Sequence, residues 1–283
     1  MQVRTFSIEK PKEFLKMLIQ KFQSDETTGL AAQLAYYFLL SLFPLLLFVL
    51  TLLPYFSLPV NQVMEWIRAY APGDTGQMIA GNVSSLLNET RGGLLSLGII
   101  GTLWTASGGV SAFIRATNRA YEVEETRSFL KVKLLSMTLT FSMVFVIAIT
   151  LVFPVFGQVI MESIQALLPI SFNVEFLFQI LRWVVAISIM VFVLMVLYYA
   201  APNTNFKMRE VFWGAVFATI GWQLISAGFS FYVTNFGNYE ATYGAIGGII
   251  VLMIWFYLTG ILLIVGGQLN AILYKWKRTG RTA

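Results

Sequence analysis

The side chains that carry most protein chemistry are missing from this sequence, which holds no histidine and no cysteine. Their absence removes disulfides, thiolate nucleophiles, imidazole bases and Cys/His zinc sites together. The 14 acidic residues lie in polar stretches or at the ends of apolar ones. A carboxylate relay inside an apolar segment therefore cannot be assembled, nor can a cluster suited to metal-dependent hydrolysis. No glycine-rich nucleotide loop follows a strand-like run, and no cofactor is expected. What remains inside the apolar runs is neutral. Gln33, Tyr36, Tyr37 and Ser41 occupy one run; Thr102, Trp104, Thr105, Ser107 and Ser111 occupy the next, with Asn118 just beyond; Gln223, Ser226, Ser230, Tyr257, Thr259, Gln268 and Asn270 come later. Taken singly, each suits an interhelical hydrogen bond, worth roughly 0.6 kcal/mol in lipid. Taken together they can line a polar groove, for which Gln33, Tyr36, Ser41, Trp104, Ser107 and Asn118 are the candidates. Arg115 and Arg119 follow as guanidinium forks suited to the phosphate of an anionic head group.

The elements that would position these residues are set by composition. Of the 283 residues 57% are hydrophobic and 12% charged, against about a quarter charged in soluble domains, and the mean hydropathy is +0.73. Several runs reach the ~20 residues that cross about 30 Å of hydrocarbon as a helix. Barrel strands would alternate in shorter pieces. The expectation is an all-α polytopic membrane protein forming a single membrane domain. It has about six transmembrane helices, at 30–56, 94–114, 134–155, 178–200, 211–234 and 244–272, and a basic tail at 273–283. Pro44 lies inside the first span and is expected to kink it. Gly244 and Gly247 in the run Tyr243-Gly244-Ala245-Ile246-Gly247-Gly248 give the last span an irregular, hinge-like start.

Between the spans, residues 57–93 read as two short surface helices separated by the turn Pro72-Gly73-Asp74, and 158–168 as another amphipathic stretch. Before the first span, within residues 1–29, Phe14, Leu15, Leu18, Ile19 and Phe22 recur at helical spacing opposite Lys12, Lys16 and Lys21. Such a helix lies in the cytoplasmic membrane interface or packs against the bundle's own cytoplasmic face.

Of the 19 lysines and arginines, all but Arg68, Arg91 and Arg182 fall on one side of the predicted spans. That bias puts both termini in the cytoplasm. It also accounts for the net charge of +5, so a nucleic-acid partner is not needed to explain it. The expected partners are membrane lipids with anionic head groups, and the small-residue faces permit a homo-oligomer. A weak internal similarity links Gly98-Ile99-Ile100 and Trp104 to Gly248-Ile249-Ile250 and Trp255; each is followed by an asparagine (Asn118, Asn270) and a tyrosine (Tyr121, Tyr274). Duplication of helix pairs and chance likeness between glycine-bearing helices both fit.

Several segments in order resemble the YihY/virulence factor BrkB family over nearly the whole chain. They are Ala35-Tyr36-Tyr37 with Ser41-Leu42-Phe43-Pro44, Trp104-x-Ala106-Ser107-x-Gly109, and Asn118-x-x-Tyr121 with Glu125-x-Arg127. Ala201-Pro202-Asn203, Trp213-Gly214-Ala215, Tyr243-Gly244-Ala245-Ile246-Gly247 and Trp255-x-Tyr257 complete the set. The resemblance implies a six-helix protein of the bacterial inner (plasma) membrane. Relatives once carried a ribonuclease label, for which this chain offers neither a metal site nor an acid/base pair. One departure is Gln268, where the family usually has an acid. The expected function is movement of a lipid or lipid-linked amphiphile through a polar groove, without enzymatic chemistry. The rival is a non-transporting scaffold for cell-envelope partners.

Overall fold

The computed structural model describes residues 11–52, 92–143, 172–236 and 245–279. Helix α1 runs Pro11–Ser24, with proline in the first turn, where its missing N–H costs nothing. Helix α2 is Thr27–Leu52 and α3 is Gly92–Tyr121. Helix α4 is described over 129–143, and α5 is Phe172–Ala200. A 3-10 turn at Met208–Val211 leads into α6, Phe212–Phe236, and α7 is Ala245–Thr279. No strand occurs among the described residues.

Five stretches are long and apolar enough to cross a membrane: Thr27–Leu45, Ser96–Tyr121, Trp183–Ala200, Met208–Asn235 and Gly247–Trp276. The first part of the expected third span, 134–155, falls in a helix that starts at 129 and is described only to 143. Two helices outrun their expected ends. α3 continues past 114 to Tyr121 because Ala116, Thr117, Asn118 and Ala120 are buried against neighbouring elements. α7 continues past 272 to Thr279, carrying Tyr274 onto Tyr121 and Phe206, and Trp276 onto Phe14. The surface helices expected at 57–93, apart from the first residues of α3, lie outside the described residues. So do the stretch 158–168 and Gly244. Gly247 is buried in the first turn of α7. α2 stays helical across Pro44, whose ring lies beside Gly101.

The burial pattern is that of a bundle dissolved in lipid. Interfaces between helices are rich in small residues, with Ala31, Ala112, Ala116, Ala215 and Ala218 fully buried. Large apolar side chains such as Phe43, Leu97, Ile100, Leu224 and Phe231 point outward. In water this arrangement would expose an oversized apolar surface; in hydrocarbon it costs nothing. α2 packs most extensively on α3, and α7 on α2 and α6. Of the two readings of the amphipathic first helix, α1 shows parts of both. Phe14 stacks on Trp276 with ring centroids 6.1 Å apart, while Leu15 and Ile19 stay exposed beside Lys12 and Lys16.

The closest backbone approach joins α6 to α7 at Gly214. A Cβ there would run into the Gly266 carbonyl and the Asn270 side chain. Gly214→Ala is therefore expected to destabilise the bundle by about 1–3 kcal/mol, lowering the melting temperature of the detergent-solubilised protein. Gly228→Ala, on the same helix with open space around it, should leave that temperature unchanged or slightly higher.

Candidate functional site

Among the described residues the ion pairs gather at one end of the bundle, where α1 ends, α2 begins and α3 passes into the loop at 122–128. Asn118, buried on α3, organises that loop. Its Nδ2 donates to Glu125 Oε2 at 2.8 Å, and its Oδ1 accepts the Asn203 backbone N–H at 2.7 Å. Arg127 then grips Glu125 through Nε and Nη2 at 2.8 and 2.7 Å and donates onward to the Ala201 carbonyl at 2.8 Å. Asn203 Nδ2 closes the ring on the Glu124 carbonyl and the Thr126 hydroxyl. Residues 118–127 and 201–203, far apart in the chain, thus form one polar cap. The Arg127 guanidinium above all, with Asn118, holds the Glu125 carboxyl below the usual carboxylate range.

A second set of bonds ties α3 to the corner between α1 and α2. Arg119 donates to the Ser24 carbonyl at 3.0 Å and to Glu26 Oε1 at 3.1 Å. Glu122 pairs with Lys275 and, at 3.2 Å, with Lys21, which also lies 3.6 Å from Asp25. The bond from Lys275, then that from Lys21, keeps the Glu122 carboxyl below its ordinary range against the opposing effect of burial. Glu122 has φ 56°. Its N–H bonds the Arg119 carbonyl and that of Val123 bonds the Asn118 carbonyl, each at 3.0 Å. This is the Schellman ending of α3, with glutamate where glycine is usual.

From α7, the buried Gln268 donates through Nε2 to Thr27 Oγ1 at 2.8 Å and Asp25 Oδ2 at 3.0 Å. At the position where the resemblance leads one to expect an acid, an amide therefore faces a carboxylate as a donor. A second carboxylate there would repel Asp25 unless one of the two took a proton. Two residues on, Asn270 Oδ1 accepts the Gly214 N–H at 2.7 Å.

Away from the cap, α3 and α4 share a polar seam on the apolar flank of the bundle. Lys133 Nζ donates to Ser107 Oγ at 2.7 Å and to the Trp104 carbonyl at 3.3 Å, and it lies 4.3 Å from the centre of a Trp104 ring. The hydroxyls of Ser111 and Ser136 meet at 2.8 Å one turn along. Among the described residues no carboxylate pairs with Lys133. On α3, Leu97, Ile100 and Trp104 form an exposed stripe; on α4, Leu130 and Leu134, either side of Lys133 in the chain, are exposed too.

The groove candidates are thus divided. Trp104 and Ser107 come together around Lys133, and Asn118 sits in the charged cap. Gln33 is exposed and accepts from Arg115 at 3.3 Å. Tyr36 is 58% exposed and meets only the edge of Tyr37, while the Ser41 hydroxyl returns to its own helix at the Phe38 carbonyl, 2.8 Å away. None of those three bonds to the seam. Lys133 is not among the six groove candidates or the two head-group arginines, although the charged stretch 115–133 that contains it is where head-group capture is expected. The available signal was its setting, a cation that follows Lys131-Val132 and leads into the apolar pair Leu134-Leu135.

Comparison with known proteins places this bundle. A profile of the virulence factor BrkB family matches residues 18–283. The chain belongs to that family. Similar proteins include the ribonuclease-like protein YfkH of Bacillus subtilis (strain 168), 48% identical over 265 residues that cover 94% of this chain and 96% of the relative. Two UPF0761 membrane proteins are similar over 278 residues each. That of Aeromonas salmonicida is 27% identical, covering 94% of this chain and 90% of its own length; that of Pseudoalteromonas atlantica is 28% identical, covering 94% and 87%. No solved structure matches. With membrane-protein relatives and five candidate spans, this BrkB-family chain is a multi-pass membrane protein.

The cap makes a pH-dependent contribution to stability. Because the folded-state value of Glu125 lies below the 4.5 of a free glutamate, its stabilisation is full above that pH. It fades as the pH falls through the lowered value. Glu125→Gln is expected to melt lower than wild type at neutral pH and to show a flatter loss of melting temperature on acidification.

Proposed function

We propose that this protein binds an amphiphile with an anionic head group at the α3–α4 seam and moves it across the membrane. The observation that carries the proposal is the Lys133 ammonium, held on the Ser107 hydroxyl and the Trp104 ring with no carboxylate paired to it among the described residues. A cation at an apolar flank is expensive unless something anionic or polar meets it. The exposed Leu97–Ile100–Trp104 stripe supplies a surface for hydrocarbon next to that charge. Trp104 serves as the hinge between the two, since its face holds the ammonium and its bulk extends the apolar stripe. The charged cap is read as the cytoplasmic end, in line with the one-sided distribution of basic residues.

A second reading, a non-transporting scaffold for envelope partners, draws on a different observation. The hydroxyls of Thr102, Thr105, Ser111 and Thr117 all turn back to carbonyls of their own helix. Side chains so satisfied suit a packed bundle as well as a groove.

The test is lipid movement in reconstituted vesicles. Wild-type protein should accelerate transbilayer movement of a labelled phosphatidylglycerol over protein-free vesicles, and Lys133→Gln should cut that acceleration by about tenfold, as removal of a charge-assisted contact implies. Movement equal to that in empty vesicles, for anionic and zwitterionic lipids alike, would leave the scaffold reading standing.

A further inference from the structure

A cleft of about 280 Å³ opens between α1 and α7 at the charged end, with Lys21, Ser24 and Lys275 on its polar side and Met17 and Ile272 on its apolar side. Glu122 reaches into it from the end of α3. We propose that this cleft is a binding site for a phosphate-type anion, and that Glu122 occupies it as an internal competitor. The geometry matches that role. One oxygen of Glu122 takes the Lys21 ammonium at 3.2 Å and the other takes Lys275, which is how two oxygens of a phosphate would sit between the same pair of lysines. The Lys21 side chain is only 10% exposed, so its ammonium is fixed in place between Glu122 and Asp25. Ser24 adds a hydroxyl whose present partners, the Lys21 carbonyl and Asp25 Oδ1, lie at 3.3 and 3.4 Å. Such long bonds are readily exchanged for a shorter one to an incoming oxygen.

The backbone supplies the second line of argument. The place of Glu122 in the turn that ends α3 suits glycine, and a side chain there is held at φ 56°. The turn closes without any side chain, so what glutamate adds is its carboxylate, and that carboxylate points at two lysines. Displacing it with an external phosphate would release the bond between α3 and α7 that Glu122 now makes. The apolar floor at Met17 and Ile272 admits the glycerol or acyl portion of a phospholipid. The polar side alone would hold inorganic phosphate. The lipid form of this site extends the amphiphile reading by giving it a second anion seat; binding itself is measured without transport, so failure of one and failure of the other are separate results.

The experiment is calorimetric titration of inorganic phosphate into the full-length protein in neutral detergent. A second arm counts phosphatidylglycerol retained by the protein in native mass spectrometry after extraction from mixed phosphatidylglycerol–phosphatidylcholine nanodiscs. Glu122→Gly removes the competitor from a turn that tolerates glycine, and Glu122→Gln keeps the side chain's size while removing its charge. Both should tighten phosphate binding, or raise phosphatidylglycerol retention, by about tenfold. Adding Lys21→Met and Lys275→Met should abolish the gain. A gain only with phosphate identifies the free anion, and a gain only with phosphatidylglycerol identifies the lipid head group. Either supports the site. Should Glu122→Gly melt early, Glu122→Gln decides alone. No gain in either arm from a folded Glu122→Gln protein overturns the proposal, as does a gain that survives loss of both lysines.

Discussion

A peptide group in hydrocarbon has no water to turn to, so each N–H and C=O must find a partner within the protein. That requirement makes the spanning segments helical, and it governs their polar side chains as well. Thr102 bonds the Gly98 carbonyl at 2.7 Å, Thr117 the Phe113 carbonyl at 3.0 Å and Thr140 the Ser136 carbonyl at 2.7 Å. With hydroxyls satisfied locally, helix faces are free to approach through small residues. Gly260 brings α7 close to the Ala31 backbone of α2, and Gly108 accommodates the Tyr37 ring. The large apolar side chains left over face outward, toward a solvent as apolar as they are.

The same requirement explains why one end of the bundle is so densely bonded. Where a helix begins or ends its backbone groups lack their regular partners, and asparagines supply them. Asn118 accepts the N–H of Asn203 and Asn270 accepts that of Gly214. The tyrosines that follow them, Tyr121 and Tyr274, meet with ring centroids 5.9 Å apart. The internal sequence similarity therefore has a structural counterpart at this end, where each asparagine accepts a backbone N–H from another element that lies outside regular helical bonding. At the other end the likeness lapses, since Gly98 is buried and Gly248 is exposed. A shared need to satisfy a backbone N–H outside regular helical bonding accounts for the matching asparagines whether or not the segments have a common origin.

Charge is thereby sorted into two kinds. In the cap, Glu125, Arg127, Arg119 and Glu26 are mutually paired at a surface and act chiefly as fasteners, each exposed pair contributing little alone. On the flank, Lys133 meets a hydroxyl, a carbonyl and an aromatic face among the described residues. The arginines expected to suit a head group have partners within the protein: Arg119 bonds Ser24 and Glu26, and Arg115 bonds Gln33.

Hydropathy and length are properties of a segment by itself, and so the sequence alone determined that the chain is helical and membrane-spanning. It likewise placed an amphipathic helix ahead of the first span, where α1 lies at Pro11–Ser24. Helix ends were less legible, because α3 and α7 are extended by packing of Asn118, Tyr274 and Trp276 against distant elements. Which polar residues meet was decided only by the tertiary structure. Lys133 and Ser107 are 26 residues apart, and Gln268 and Asp25 are 243 apart. No periodicity encodes such pairings; they depend on how the helices rotate and cross once their small-residue faces have packed.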